Sequence, residues 1–129
     1  MPAASPGACE AAGVPVSRVV PNLQADSPAQ AAAFYRDVLG MEVVMDHGWI
    51  VTVADPARPQ VQLSLIQEDE TGPVVPVASL QVEDVDAAHA AAVAAGAEIV
   101  HPLTDEAWGV RRFFVRDPAG HVVNVLAHR

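Results

Sequence analysis

Five histidines and sixteen carboxylates give this chain the means to hold a metal or move a proton, but their spacing does not gather them. His47 falls in a hairpin turn, His89 in an Ala-rich helix and His101 at a strand end. His121 follows a turn, and His128 is next to last. No two stand four apart on a helix or two apart on a strand, the spacings that aim two imidazoles at one ion. They read as scattered surface side chains, with His47 kept as a pocket candidate. Glu68-Asp69-Glu70 reads as a solvated acidic loop rather than a calcium loop. Asp105 and Glu106, beside Trp108, also read as loop, near a pocket mouth where they could meet a cationic ligand. Nucleophilic chemistry finds no better footing. There is no Gly-x-Ser-x-Gly elbow, no paired Cys and His, and no Gly-rich phosphate loop. Cys9, the single cysteine, has no neighbour that would lower its pKa and no partner for an intrachain disulfide.

Composition narrows the classes further. A net charge of −9, with seven Arg and no Lys, repels phosphate backbones and excludes nucleic acid as an expected partner. The same charge keeps the chain dissolved and would attract a cationic small molecule. The length of 129 residues suits one domain, and 51% hydrophobic residues can fill its core. No apolar run reaches the roughly 18 residues of a membrane span. Residues 1–15, rich in Ala and Pro, read as a flexible tail without the features of a signal peptide, so a cytoplasmic location is expected.

The elements that must position any site come in two copies. Asn22-Leu23-Gln24-Ala25-Asp26 parallels Ser79-Leu80-Gln81-Val82-Glu83, at an offset of about 57 residues, a length that marks a whole supersecondary unit. Each segment closes a short strand (18–25 and 76–82) and enters an Ala-rich helix. Ser27-Pro28-Ala29-Gln30 is a helix start, with Ser27 as cap, Pro28 in the first turn and Gln30 able to complete a capping box. Gly40 ends that helix. Asp84 caps the second, which runs through Ala95. Alternation then predicts strands over 41–45, 49–53 and 61–67 in the first copy. In the second copy it predicts 97–100, 110–115 and 121–126, with 101–107 as a loop. The expected fold is α+β: two tandem βαβββ modules, about 16–70 and 74–129, forming one domain whose sheet curves around a cleft.

Three segments carry a family pattern in the right order. Ala33-Phe34-Tyr35-Arg36-Asp37-Val38-Leu39-Gly40-Met41 is the first helix and its exit. Val82-Glu83-Asp84-Val85-Asp86, an Ala-rich helix and Gly96-Ala97 form the second entry. Trp108-Gly109-Val110-Arg111, Phe113 and Asp117-Pro118-Ala119-Gly120-His121 form a closing hairpin. From Val16 onward the chain resembles the glyoxalase / bleomycin-resistance / dioxygenase (vicinal oxygen chelate) superfamily. That resemblance implies metal-ligand positions on the first and last strands of each module, here Val20, Ser64, Val77 and Asn124. Relatives that bind metal usually carry Glu four residues after the turn glycine, where this chain has Asn124. Two Val, one Ser and one Asn cannot displace a divalent ion's water. The chain therefore resembles the metal-free, drug-binding branch, and no metal or other cofactor is expected.

Alternation also sorts the cleft face. If Val20 points inward, so do Asn22 and Gln24, while Pro21 and Leu23 pack against a helix. In the second module Ser79 and Gln81 face in, and Leu80 and Val82 pack. Gln62, Ser64 and Ile66 share one face, as do Val122, Asn124 and Leu126. Trp49 and Trp108 can supply flat walls, with His47 and Arg112 as further lining residues. The expected ligand site is thus Asn22, Gln24, His47, Trp49, Gln62, Ser64, Gln81, Trp108, Arg112 and Asn124, with no catalytic residue. The expected function is capture, without turnover, of an antibiotic or other aromatic or cationic natural product. The Lys-free, Ala-rich composition points to a GC-rich host, a setting for self-resistance. The alternative is a glyoxalase-like lyase or isomerase, or a dioxygenase-type enzyme. A purely structural module would leave a polar cleft without purpose. A homodimer is expected because a second chain often completes such a cleft.

Overall fold

The computed structural model describes residues 15–129; Cys9 and all but the last residue of the expected tail lie outside the described residues. Module one runs β1 (Val16–Gln24), α1 (Pro28–Leu39), β2 (Glu42–Asp46), β3 (Ile50–Ala54) and β4 (Gln62–Ile66). Module two runs β5 (Ala78–Val82), α2 (Val85–Ala94), β6 (Glu98–Asp105), β7 (Val110–Arg116) and β8 (Val122–His128). The strands form one curved eight-stranded sheet in the order β2-β3-β4-β1-β5-β8-β7-β6. The fold is α+β, two βαβββ modules joined at the antiparallel β1–β5 pair, where Val20 lies opposite Ser79. Within each module the first strand pairs in parallel with the last, Asn22 opposite Ser64 and Ser79 opposite Asn124.

The helix ends follow from local chemistry. The Ser27 side chain accepts from the Gln30 backbone N–H at 3.3 Å, and Pro28 occupies the first turn, where its missing N–H costs nothing. Asp84 accepts from the Ala87 N–H at 2.9 Å. Gly40, at φ 71°, adopts the left-handed conformation that ends α1 and returns its N–H to the Arg36 carbonyl.

Two expectations are corrected. The segment expected as a loop after Val100 continues as strand through Asp105. It can do so with Pro102 in it because β6 is the edge of the sheet, where a missing N–H breaks no ladder, and the pairing with β7 is irregular there. Leu23 is not packed against a helix; it is 42% exposed, and Pro21 is exposed as well. Each helix covers the outer strands of its own module, α1 over β2 to β4 and α2 over β6 to β8, which leaves the outer face of β1 uncovered. The core is accordingly split in two. Ala32 and Met41 pack with Val51, Val53 and Leu65 in module one, and Val82 and Val85 pack with Phe113 in module two.

Candidate functional site

The concave face of the sheet encloses a cavity of about 460 Å³, bordered by both modules. Strand alternation builds it. Arg18, Val20 and Asn22 on β1 share one face, as do Gln62, Ser64 and Ile66 on β4, and these faces meet Ser79 of β5 and Asn124 of β8. At the seam, Asn22 Nδ2 and Asn124 Nδ2 both donate to Ser79 Oγ, at 3.0 and 3.1 Å. Thr52 and Ser64 share a buried hydroxyl–hydroxyl bond of 2.7 Å. Asn124 is only 6% exposed, and its Oδ1 is buried without a partner. Turning the amide over leaves its nitrogen unpaired instead, so either way one buried polar group at the cavity floor lacks a mate.

Of the ten residues expected at a ligand site, eight border this cavity. Asn22, Ser64 and Asn124 lie at its floor, and Gln62 joins them from β4. His47 and Trp49 form one wall, their rings stacked at 6.4 Å and 21° apart. Trp108 and Arg112 form another, the guanidinium carbon 5.0 Å from the indole centroid. Gln24 and Gln81 do not border it. Gln24, the last residue of β1, is exposed, and Gln81 is half-buried beyond the cavity. Val77 does not border it either. It precedes β5 and is 48% exposed, while Pro76 lines the cavity in its place. Sequence reasoning passed over Thr52, whose position opposite Ser64 on β3 was the available signal, and His128, two residues beyond Leu126 on the same face.

The sharpest departure from the sequence reading concerns the acids. Asp69, expected in a solvated loop, has a side chain only 3% exposed and pairs with Arg112 through two bonds of 2.8 Å. Arg112, 2% exposed, also donates to Glu106 at 2.6 Å and to Thr71 Oγ1 at 2.7 Å, and its Cζ lies 4.7 Å from the Phe114 ring. Burial alone would raise the Asp69 carboxyl; the hydrogen bonds and charge of Arg112, joined by the backbone N–H groups of Thr71 and Gly72, outweigh it and hold the group below its ordinary value. Burial likewise pulls the Arg112 guanidinium down, and Asp69 and Glu106 push it above its ordinary value. Glu106, expected to be solvated, is also within bonding distance of His101, at 3.2 Å. Asp105 is exposed and bridges Arg111 and Arg129; the Arg129 hydrogen bonds are the main cause of its lowered pKa. Arg112 thus clamps the segment joining the modules onto β7. Gly72 fits the clamp because a Cβ there would sit 2.8 Å from Phe114 Cε2.

The four positions at which the sequence resemblance puts metal ligands do not fit a divalent ion. Val20 offers no donor, Val77 faces away from the cavity, and Ser64 and Asn124 are neutral groups already hydrogen-bonded. Among the described residues no three of His, Cys, Asp and Glu come together as a metal site. The arrangement can instead offer hydrogen bonds from a neutral polar floor and stacking from aromatic walls.

Two βαβββ modules closing one sheet around a shared cavity define the class of protein. Residues 16–125 match the family model of the Glyoxalase/Bleomycin resistance protein/Dioxygenase superfamily, and the chain belongs to that superfamily. Solved structures agree on the fold. The chain is similar to an NAD-dependent benzaldehyde dehydrogenase from Legionella pneumophila (20% identity, TM-score 0.71, 86% of this chain and 99% of that one). It is similar to a member of the same superfamily from Vibrio splendidus 12B01 (22%, 0.63, 85% and 97%). It is also similar to methylmalonyl-CoA epimerase from Mycobacterium tuberculosis (19%, 0.65, 88% and 89%). No curated protein matches the chain. No helix among the described residues is long and apolar enough to cross a membrane.

Proposed function

We propose that this protein is a metal-independent binder that sequesters an aromatic small molecule, an antibiotic or related natural product, and releases it unchanged. The supporting observation is the cavity floor. Where the resemblance puts metal ligands the chain has Val20, Ser64, Val77 and Asn124, and the three of these that border the cavity, Val20, Ser64 and Asn124, offer an apolar surface and neutral hydrogen-bonding groups in place of metal donors. The roughly 460 Å³ of space is in the range of small-molecule pockets, and Trp49 and Trp108 offer faces for a flat ring. Asn22, Gln62, Ser64 and Asn124 orient the ligand, and His47, Trp49, Trp108 and the clamped Arg112 enclose it. The proposal includes a cytoplasmic setting and a homodimer. The uncovered outer face of β1, with Val19 and Leu23 exposed, supports the dimer.

The test is mass balance with a panel of aromatic antibiotics. Saturable one-to-one uptake with quantitative recovery of unaltered compound is expected. Conversion of the compound with turnover would overturn capture and favour an enzyme of the superfamily.

A further inference from the structure

The charges inside the cavity are distributed unlike those of the chain. Of the cavity's carboxylates, Asp69 is spent on Arg112, and Glu70 is exposed. Glu106, behind the wall, is spent on Arg112 as well. Arg18 is different. It lines the cavity from β1, on the face of Val20 and Asn22, and among the described residues no carboxylate pairs with it. Its one hydrogen bond, Nη1 to Gln62 Oε1 at 3.1 Å, goes to a neutral acceptor. Gln62 is held for this role, since its Nε2 donates to the Pro59 carbonyl at 2.8 Å and so turns Oε1 toward Arg18. Arg18 Nε is buried without a partner. In a chain with sixteen acids and seven Arg, a half-buried guanidinium held by an amide and left without a counter-charge among the described residues is a vacancy for an anion.

We infer that the ligand carries a carboxylate, and that Arg18 receives it while the aromatic walls hold the body of the molecule. This rests on the binding function proposed above and narrows it from aromatic compounds to aromatic acids. A monoanion fits better than a phosphate dianion, because among the described residues the cavity offers a single unpaired guanidinium amid mostly apolar lining. The acidity of the whole chain does not oppose this. Exposed charges beyond about 8 Å are largely screened at physiological salt, whereas a guanidinium–carboxylate contact inside the cavity is screened far less.

Three probes of one shape separate the charges: 2-naphthoate, 2-naphthamide and 2-naphthylmethylammonium, titrated into the full chain with Trp fluorescence and calorimetry as readouts. Naphthoate should bind about tenfold or more tighter than naphthamide, the worth of a charge-assisted hydrogen bond, and the ammonium weakest. Arg18→Met should erase the preference for naphthoate, weakening naphthoate far more than naphthamide, and an unchanged thermal melt shows that the variant is folded. Arg18→Lys should restore part of the preference. If the amide or the ammonium binds wild type as tightly as the acid, the carboxylate assignment fails and the binding function stands. If Arg18→Met keeps the preference for naphthoate, the assignment to Arg18 fails. If none of the three binds at millimolar concentration, both the aromatic cavity and the carboxylate reading are overturned.

Discussion

Replacing Arg112 with Met tests the electrostatic centre of the molecule. The substitution keeps an unbranched apolar stem but removes the cation that satisfies Asp69 and Glu106, whose side chains are 3% and 7% exposed. Removing one partner of a buried pair typically costs about 3–5 kcal/mol, because the other charge stays behind unpaired. Here two acids are left behind, so the upper half of that range is expected, against a total stability of about 5–15 kcal/mol for a domain. The melting temperature should fall by about 10 °C or more. The pH dependence should also reverse. In the wild type the folded Asp69 pKa is depressed, so its contribution is complete above the unfolded value near 4 and is lost as pH falls through the lower folded value. In the variant, burial, the largest single influence on Asp69, is opposed only by the Thr71 and Gly72 N–H groups and is expected to raise the folded pKa. Its contribution is then complete below about pH 4 and is lost as pH rises through the raised value. Urea unfolding followed by Trp fluorescence at pH 4.5 and 7 measures both effects. The stability gap between the two proteins should be widest at pH 7, and Asp69→Asn with Glu106→Gln in the Arg112→Met background should restore much of it. A loss below about 1 kcal/mol at pH 7, with no reversal, would show that the two acids are as well solvated as surface acids, and the clamp would be refuted.

Gly72→Ala should destabilise by about 1–3 kcal/mol, since the new methyl meets the edge of Phe114, a ring with 0% exposure and no room to yield; thermal melts check this, and Phe114→Leu should relieve it. Ser64→Ala should cost about 1 kcal/mol by leaving the Thr52 hydroxyl buried and unpaired, while Thr52→Val combined with Ser64→Ala should cost less than the sum of the two single changes. Asn124→Leu should weaken capture of the ligand about tenfold by removing a polar group from the cavity floor, and should cost about 1 kcal/mol or less in stability, because loss of the hydrogen bond to Ser79 Oγ is partly offset by deleting the unpartnered Oδ1; equal affinity in calorimetry would remove Asn124 from the site.

The duplication was legible because each module announces its own boundaries. The paired segments around Asn22 and Ser79, the caps Ser27 and Asp84, and the stop at Gly40 are local signals, and local signals survive without knowledge of the third dimension. The cavity floor was legible for a related reason. Val20, Asn22, Ser64 and Asn124 lie on strands whose alternation leaves one plausible inward face. Strand β7 offers no such asymmetry. Arg111 and Phe113 share one face and Arg112 and Phe114 the other, so each register presents one cation and one ring. Only the sheet decides. Phe113 enters the core under α2 while Arg111 reaches Asp86 on that helix, which turns Arg112 toward the cavity.

The acidic run at 68–70 shows why composition misleads about ligands. Its sequence neighbours mark it as surface, and the residue that buries Asp69 within it stands forty-three positions away. At an effective dielectric near 20, unit charges 4 Å apart interact by about 4 kcal/mol, while the same charges across the molecule are screened to a small fraction of that. Local pairing therefore decides what a cavity presents, and net charge does not. A surplus of acids over the whole chain invited the expectation of a cationic ligand. Arg112 neutralises the buried acids on one wall, and Arg18 on the opposite module is left without a partner among the described residues. The cavity therefore presents an unpaired cation while the molecule as a whole is anionic, and a ligand selected inside it answers to Arg18.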